Sequence, residues 1–334
     1  MLNRREFVSQ SGRAILATGV AAQAWTHLSS DRQLSAAEDD KDVTNNDKQP
    51  IIDTHQHLWD LKKFNLPWVK DPGLESMNRN YLMSDYLETT KGFNIAKTVY
   101  MEVDVHPSQQ QKEADYVLAL CDKEDNPMDG VVISGELHQK EFAPYIKTLA
   151  ENSFVKGVRK VLHGSSTPPG HCLQPQFVEH VQLLGKLGLS FDLCMRPEEV
   201  IDTVKLADKC PKTQFILDHL GNMGVASPDE KLRKNWEHAI QELAQRPHVA
   251  CKISGVVATA NEKWKPADLA DLVNYCLDAF GSERVVFGGD WPVCMLRATL
   301  PEWILALREI VQDRSEEFRQ KLWHDNAIKI YRLS

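Results

Sequence analysis

The 334-residue sequence has no run of more than two consecutive basic residues, and its formal net charge is −8. Nucleic acid and anionic membrane surfaces are therefore poor partners, since both recruit proteins through clustered Lys and Arg. After residue 30 no apolar run approaches the roughly 18 residues that a membrane span needs. There is no C-x-x-C pair, and the seven cysteines are an odd number. That pattern argues against a disulfide framework and against a cysteine metal cluster. Cys194, Cys251 and Cys294 lie inside apolar runs, where a thiol behaves as a small buried hydrophobe. No G-x-G-x-x-G or Walker-type loop follows an early strand candidate, which weakens an open dinucleotide-binding sheet. Solenoid repeats are also lacking. What remains is a globular chain whose length suits one large domain or two small ones.

The first 50 residues differ from the rest. Asn3-Arg4-Arg5-Glu6-Phe7-Val8 is followed by the weakly apolar Ala14–Ala22 and by Ala22-Gln23-Ala24. This paired-arginine segment, apolar core and A-x-A-like cleavage site resemble a twin-arginine export signal over residues 1–27. Residues 28–49, with Asp39-Asp40-Lys41-Asp42, are polar and aperiodic and read as a disordered linker. The expected partner in export is the twin-arginine machinery, and the expected location is the periplasm or another exported compartment. That route carries folded chains, which suits reduced, buried cysteines.

From residue 50 to 334, short β-branched runs alternate with amphipathic stretches. Strands are expected at 51–55, 98–103, 130–135, 157–162, 189–195, 214–219, 249–254 and 285–290. Helical stretches between them include 109–123, 176–187, 197–209 and 301–311, several opening on Pro, Ser or Asp as a first helical turn allows. Apolar strands separated by helices mean a parallel sheet. Eight such units in about 285 residues match a (β/α)8 TIM barrel, roughly 250 residues plus insertions. The long connection from Leu58 to Lys97 carries Trp59, Phe64, Trp68 and Tyr81. It reads equally as a lid over the barrel mouth or as a structural cap.

In such a barrel the C-terminal strand ends face the reaction site. The first strand ends Asp53-Thr54-His55-Gln56-His57, the second at Glu102, the sixth at Leu217-Asp218-His219 and the eighth at Gly288-Gly289-Asp290-Trp291-Pro292. His55 and His57 share a side by alternation. One His at a strand end is commonly structural. Three His and an Asp at matched positions argue for a shared task.

These residues resemble the amidohydrolase superfamily. Asp53-Thr54-His55-Gln56-His57-Leu58-Trp59-Asp60, Asp218-His219-Leu220-Gly221, Phe287-Gly288-Gly289-Asp290-Trp291-Pro292 and the closing Asp325-Asn326-Ala327-Ile328-Lys329-Ile330-Tyr331 are similar to its amidohydrolase-2 branch of sugar-lactone and dicarboxylate-lactone hydrolases. The resemblance covers essentially all of residues 51–334. It implies a hydrolase acting on a small polar lactone, such as a sugar acid lactone. Binuclear members carry a bridging Lys or Glu on strand four and a His on strand five. Here strand five reads Phe191-Asp192-Leu193-Cys194-Met195-Arg196 and has no His, and Lys160 has the opposite parity to Arg159. No binuclear centre is expected, and the missing His also weighs against a decarboxylase.

Two mechanisms follow from the resemblance. In one, His55, His57 and Asp290, with Glu102, hold a single Zn2+ that polarises the ester carbonyl and acidifies a bound water. In the other no metal takes part, and His55, His57 and His219 donate hydrogen bonds to the oxyanion. Asp290 is the general base in both. Arg159 is a candidate substrate-binding cation or a barrel ion pair. Lys252 and Ser254 share a parity and reach either substrate or structure. Trp59 and Trp291 stack on a sugar face or fill the core, while His163 and Arg196 lie just past strand ends. The alternatives are a zinc-dependent decarboxylase or amide hydrolase on the same barrel, or a non-catalytic sugar-binding barrel.

Overall fold

The computed structural model describes residues 49–165 and 167–334. The export signal and linker expected over residues 1–49 lie almost wholly outside the described residues. Eight parallel strands follow in sequence order around one sheet: β1 (Ile51–Gln56), β2 (Ile95–Met101), β3 (Met128–Ser134), β4 (Val155–Val161), β5 (Ser190–Cys194), β6 (Gln214–Leu217), β7 (Val249–Ile253) and β8 (Val285–Phe287). Each lies within a few residues of the run that β-branched content marks in the sequence. Helices occupy the connections: α1 (Met83–Thr89), α2 (Gln110–Cys121), α3 (Phe142–Leu149), α4 (Pro175–Lys186), α5 (Val200–Lys209), α6 (Glu230–Ala244), α7 (Pro266–Phe280) and α8 (Leu300–Ile310). α9 (Glu316–Gln320) and α10 (Asn326–Tyr331) follow, joined by a π-helical turn. The result is a nearly closed (β/α)8 barrel. Among the described residues no helix is long and apolar enough to cross a membrane, and all seven cysteines are buried and free of disulfides.

Two apolar layers sort by strand parity. Residues such as Val131, Val158, Phe191, Leu217 and Ile253 pack outward against the helices. Ile52, Val99, Val132, Ile216, Ala250 and Val286 point inward and meet Ala327, Ile330 and Tyr331 of α10, which plugs the N-terminal end of the barrel. Above this floor the inward positions turn polar: Asp192 on β5, Lys252 on β7 and Arg159 on β4 are all nearly inaccessible.

β1 would break this parity, because inward Ile52 is followed by inward His55. A bulge resolves it. Asp53 pairs with Thr98 and Gln56 with Tyr100, so β1 spends an extra residue against β2. A bulge of this kind re-aims the side chains beyond it. Here it turns His55 and His57 toward the axis.

The barrel closes differently at its seam. Each neighbouring pair from β1–β2 to β7–β8 is joined by a parallel ladder, with bulges or irregularities in the first three. Among the described residues no ladder joins β8 to β1; beyond the end of β8, Gln56 and Trp291 form an isolated bridge in which the His57 amide donates to the Trp291 carbonyl at 2.8 Å. The Thr54 hydroxyl also donates to the Phe287 carbonyl across 2.6 Å.

The long connection after β1 is a packed wall. Trp59 and Tyr81 exchange backbone hydrogen bonds of 2.8 and 2.9 Å, and Trp68 Nε1 donates to the Val103 carbonyl at 2.7 Å. Trp59, Trp68, Tyr81, Tyr86 and Trp291 meet edge to face. Of the two readings of this segment, the structural cap matches its burial.

Candidate active site

The four residues singled out at the strand ends converge. His57 Nε2 lies 3.5 Å and His55 Nε2 3.6 Å from Asp290 Oδ1. The two imidazoles of β1 approach to 3.2 Å between their Nε2 atoms. The ring of His219 stands 4.5 Å, centroid to centroid, from that of His55. His219 and Asp290 both occupy the left-handed region, at φ 54° and 52°. That conformation is uncommon for side-chain-bearing residues and clusters at functional sites. Backbone space is tight here: a Cβ on Gly255 would lie 2.3 Å from His219 Nδ1.

Hydrogen bonds orient the rings. His57 Nδ1 lies 2.9 Å from the Met101 carbonyl. A carbonyl only accepts, so Nδ1 carries the proton and Nε2 of the neutral ring turns its lone pair to the centre. His57 therefore does not fit the expected role of oxyanion donor through Nε2. His219 Nδ1 pairs with Ser254 Oγ at 2.9 Å. His55 lies between two cations, with Lys252 Nζ 3.2 Å from Nδ1 and Arg159 Nη1 3.3 Å from Nε2.

Burial and charge keep the imidazoles neutral. Burial, then the Lys252 ammonium, holds His55 well below the ordinary histidine value. Burial, then Arg159, takes His57 down to about 3. His219 is lowered by burial, despite the opposing carboxylate of Asp290.

Beneath the site runs an ionic network. Lys252 Nζ contacts Asp192 Oδ2 at 2.8 Å and Asp218 Oδ1 at 2.9 Å, all fully buried. Tyr331 donates to Asp192 Oδ2 at 2.7 Å. Burial alone would raise Asp218, but Lys252 and then His55 hold it well below the usual carboxylate range. Asp192 is raised by burial. Arg159 donates through Nε to Glu102 Oε1 at 2.7 Å and through Nη2 to the Glu102 carbonyl at 2.5 Å.

Several expectations need correcting. Glu102 is spent on Arg159 and on the Asp104 amide, so it stands outside the metal-competent group. Lys252 is wholly buried and bonded to Asp192 and Asp218, which removes it from direct substrate contact. Trp59 and Trp291 are 0% and 1% exposed and fill the wall of the site, so neither ring presents a free face for a sugar. Arg196 braces the loop after β4 through the Gly164 and Thr167 carbonyls. The sequence assigns no role to Asp53, Asp192 or Tyr331, because their partners lie far away along the chain: Gly289 and Tyr86 for Asp53, Lys252 and Tyr331 for Asp192.

The donor set suits one divalent cation. Ligand atoms of His55, His219 and Asp290 lie within 4.8 Å of one another, and two imidazoles with a carboxylate are a zinc-competent combination. The Ser254 bond on His219 is of the kind that orients metal-binding imidazoles. The two fixed cations, Arg159 and Lys252, face four buried carboxylates, Glu102, Asp192, Asp218 and Asp290, so positive charge is welcome at the centre.

The comparisons agree with this geometry. A family model described as amidohydrolase matches residues 52–333. An uncharacterised protein of Sinorhizobium fredii, y4mH, is 30% identical over 85% of this chain and 98% of its own length. The L-fucono-1,5-lactonase of Burkholderia multivorans is 27% identical over 84% of this chain and 96% of its own. The crystal structure of a Burkholderia multivorans amidohydrolase with bound zinc superposes with a TM-score of 0.76, at 25% identity over 85% of this chain and 99% of that one. The chain, an eight-stranded barrel with three imidazoles and a carboxylate at its mouth, belongs to the amidohydrolase family of hydrolytic enzymes.

Proposed function

We propose that the protein opens the ring ester of a small polar lactone, of the sugar acid class. The observation that carries this reading is the approach of His55 and His57 to Asp290, in a family whose relative is named for an L-fucono-1,5-lactone. Asp290 takes the proton of the attacking water as general base. His57 Nε2, a lone pair 3.5 Å from Asp290, helps hold that water. The Arg159 guanidinium that flanks His55 supplies positive field, and the neutral His219 ring an N–H, to the oxyanion as the carbonyl becomes tetrahedral. Asp290 then returns its proton to the leaving alkoxide, which ends the turnover as a hydroxy acid.

A zinc ion would be held by His55, His219 and Asp290 and would supply Lewis-acid polarisation of the carbonyl. We propose that it is optional for turnover. The expected export by the twin-arginine route is part of this reading, and a reporter fused after residue 27 tests it.

The test is a panel of five- and six-membered aldonolactones, with acid release followed by a pH indicator before and after chelation. Turnover of at least one lactone supports the reading. Zinc-dependent release of CO2 from a carboxylate, with every lactone inert, would replace it with decarboxylation.

A further inference from the structure

The seam between β8 and β1 is where the catalytic base faces the paired histidines, and among the described residues no backbone ladder joins these two strands. A buried carboxylate spans it. Asp53, fully inaccessible, lies two residues before His55 on β1. Its Oδ1 accepts from the His55 amide at 3.0 Å and from the Gly289 amide, across the seam, at 2.7 Å. Its Oδ2 accepts from the Tyr86 hydroxyl of α1 at 2.9 Å. One side chain thus grips the backbone of His55 and of the residue immediately before Asp290.

The fit is close enough to dictate a neighbour. A Cβ added at Gly289 would lie 2.4 Å from Asp53 Oδ2 and 2.9 Å from Leu300 Cδ1. Only glycine lets the β8 backbone come down onto the carboxylate. Asp290 then follows in its left-handed conformation, which aims Oδ1 at the two Nε2 atoms.

We propose that Asp53 is a positioning residue of the reaction, a carboxylate clamp that replaces the missing ladder bonds and fixes the separation of Asp290 from His55 and His57. It touches no substrate and acts through the two backbone amides. Tyr86 extends the clamp into the segment between β1 and β2, so that this wall and the seam move as one. The inference rests on the lactone-opening reading for its kinetic consequence alone.

The test compares Asp53→Ala, Asp53→Asn and the parent, all at a temperature where circular dichroism shows each folded. Asn keeps an oxygen for both amides and offers its NH2 to the Tyr86 oxygen. Asp53→Ala is expected to lower kcat about 100-fold with KM within about threefold, the scale of a misplaced reacting group. Asp53→Asn is expected to recover most of that loss. Selective [15N]glycine labelling gives a reading that needs no substrate: the Gly289 amide proton shifts upfield and exchanges faster in Asp53→Ala, and Asp53→Asn restores it. Should Asp53→Ala not fold, Tyr86→Phe provides the milder case, with a Gly289 shift in the same direction and a kcat loss of a few fold. A folded Asp53→Ala with an unmoved Gly289 resonance, or with parental kcat, overturns the proposal. If the parent opens no lactone, the glycine reading still decides the clamp, while the substrate assignment alone falls.

Discussion

Lys252 places its ammonium 3.2 Å from Nδ1 of His55 while gripping Asp192 and Asp218 at 2.8 and 2.9 Å. A cation that the sequence offers to substrate or to structure is the keystone of the barrel interior. Burial alone would lower its pKa, yet the two carboxylates raise it. Removing one partner of a buried ionic group leaves the others without compensation, at about 3–5 kcal/mol. Lys252→Met is therefore expected to lose about that much stability in urea denaturation at pH 7. A loss under about 1 kcal/mol would show that the network is incidental.

The neutral histidines set an acid limit. The folded His57 titrates at about 3 against an ordinary 6.5. Between these values the unfolded chain holds a proton that the folded chain does not. The stabilisation is complete above about pH 6.5 and is lost as pH falls toward 3, by up to ~1.4 kcal/mol per pH unit for one such group. His57→Asn is expected to flatten the fall of urea midpoint between pH 6 and 4. Parallel curves for variant and parent would contradict the assignment.

Glu113 carries the opposite sign. On α2, it receives the Tyr100 hydroxyl, the Val103 amide and the Ser134 hydroxyl at 2.8–2.9 Å. Burial, then the negative charge of Glu102, raises it from 4.5 to about 7. The folded state takes up this proton more readily than the unfolded, so the contribution is full below about pH 4.5 and lost as pH rises through 7. Glu113→Gln, neutral throughout, is expected to gain on the parent by on the order of 2–4 kcal/mol between pH 4 and pH 8. Denaturation at the two pH values measures it, and a constant difference would be the contrary result.

Zinc binding separates the metal-competent group from its surroundings. His219→Ala is expected to weaken zinc by more than about tenfold in calorimetry, because it removes a ligand atom of the three-residue group. Glu102→Gln, whose carboxylate is committed to Arg159, is expected to weaken it less. The reverse order would return Glu102 to the coordination shell.

The sequence made the strands legible because each is a short apolar run between helix-sized amphipathic stretches. It also exposed His55, His57, His219 and Asp290, since ordered polar residues at strand ends have little reason to be there otherwise. Their exact roles were less visible. The protonation of His57 depends on the Met101 carbonyl 44 residues away, and the pairing of Lys252 with Asp192 spans 60 residues. Tryptophans beside a motif look the same in sequence whether they face a substrate or each other; here Trp59 and Trp291 are held in a buried ring cluster with Tyr81. The β1 bulge left no mark either, as it arises from the register with β2.

The central claim is that Asp290 removes the proton from the attacking water. Asp290→Asn keeps the shape and the hydrogen-bonding oxygen but abolishes the base, so kcat on the best lactone of the panel should fall by about 10²–10⁴ with KM little changed. Turnover equal to the parent's would contradict the account.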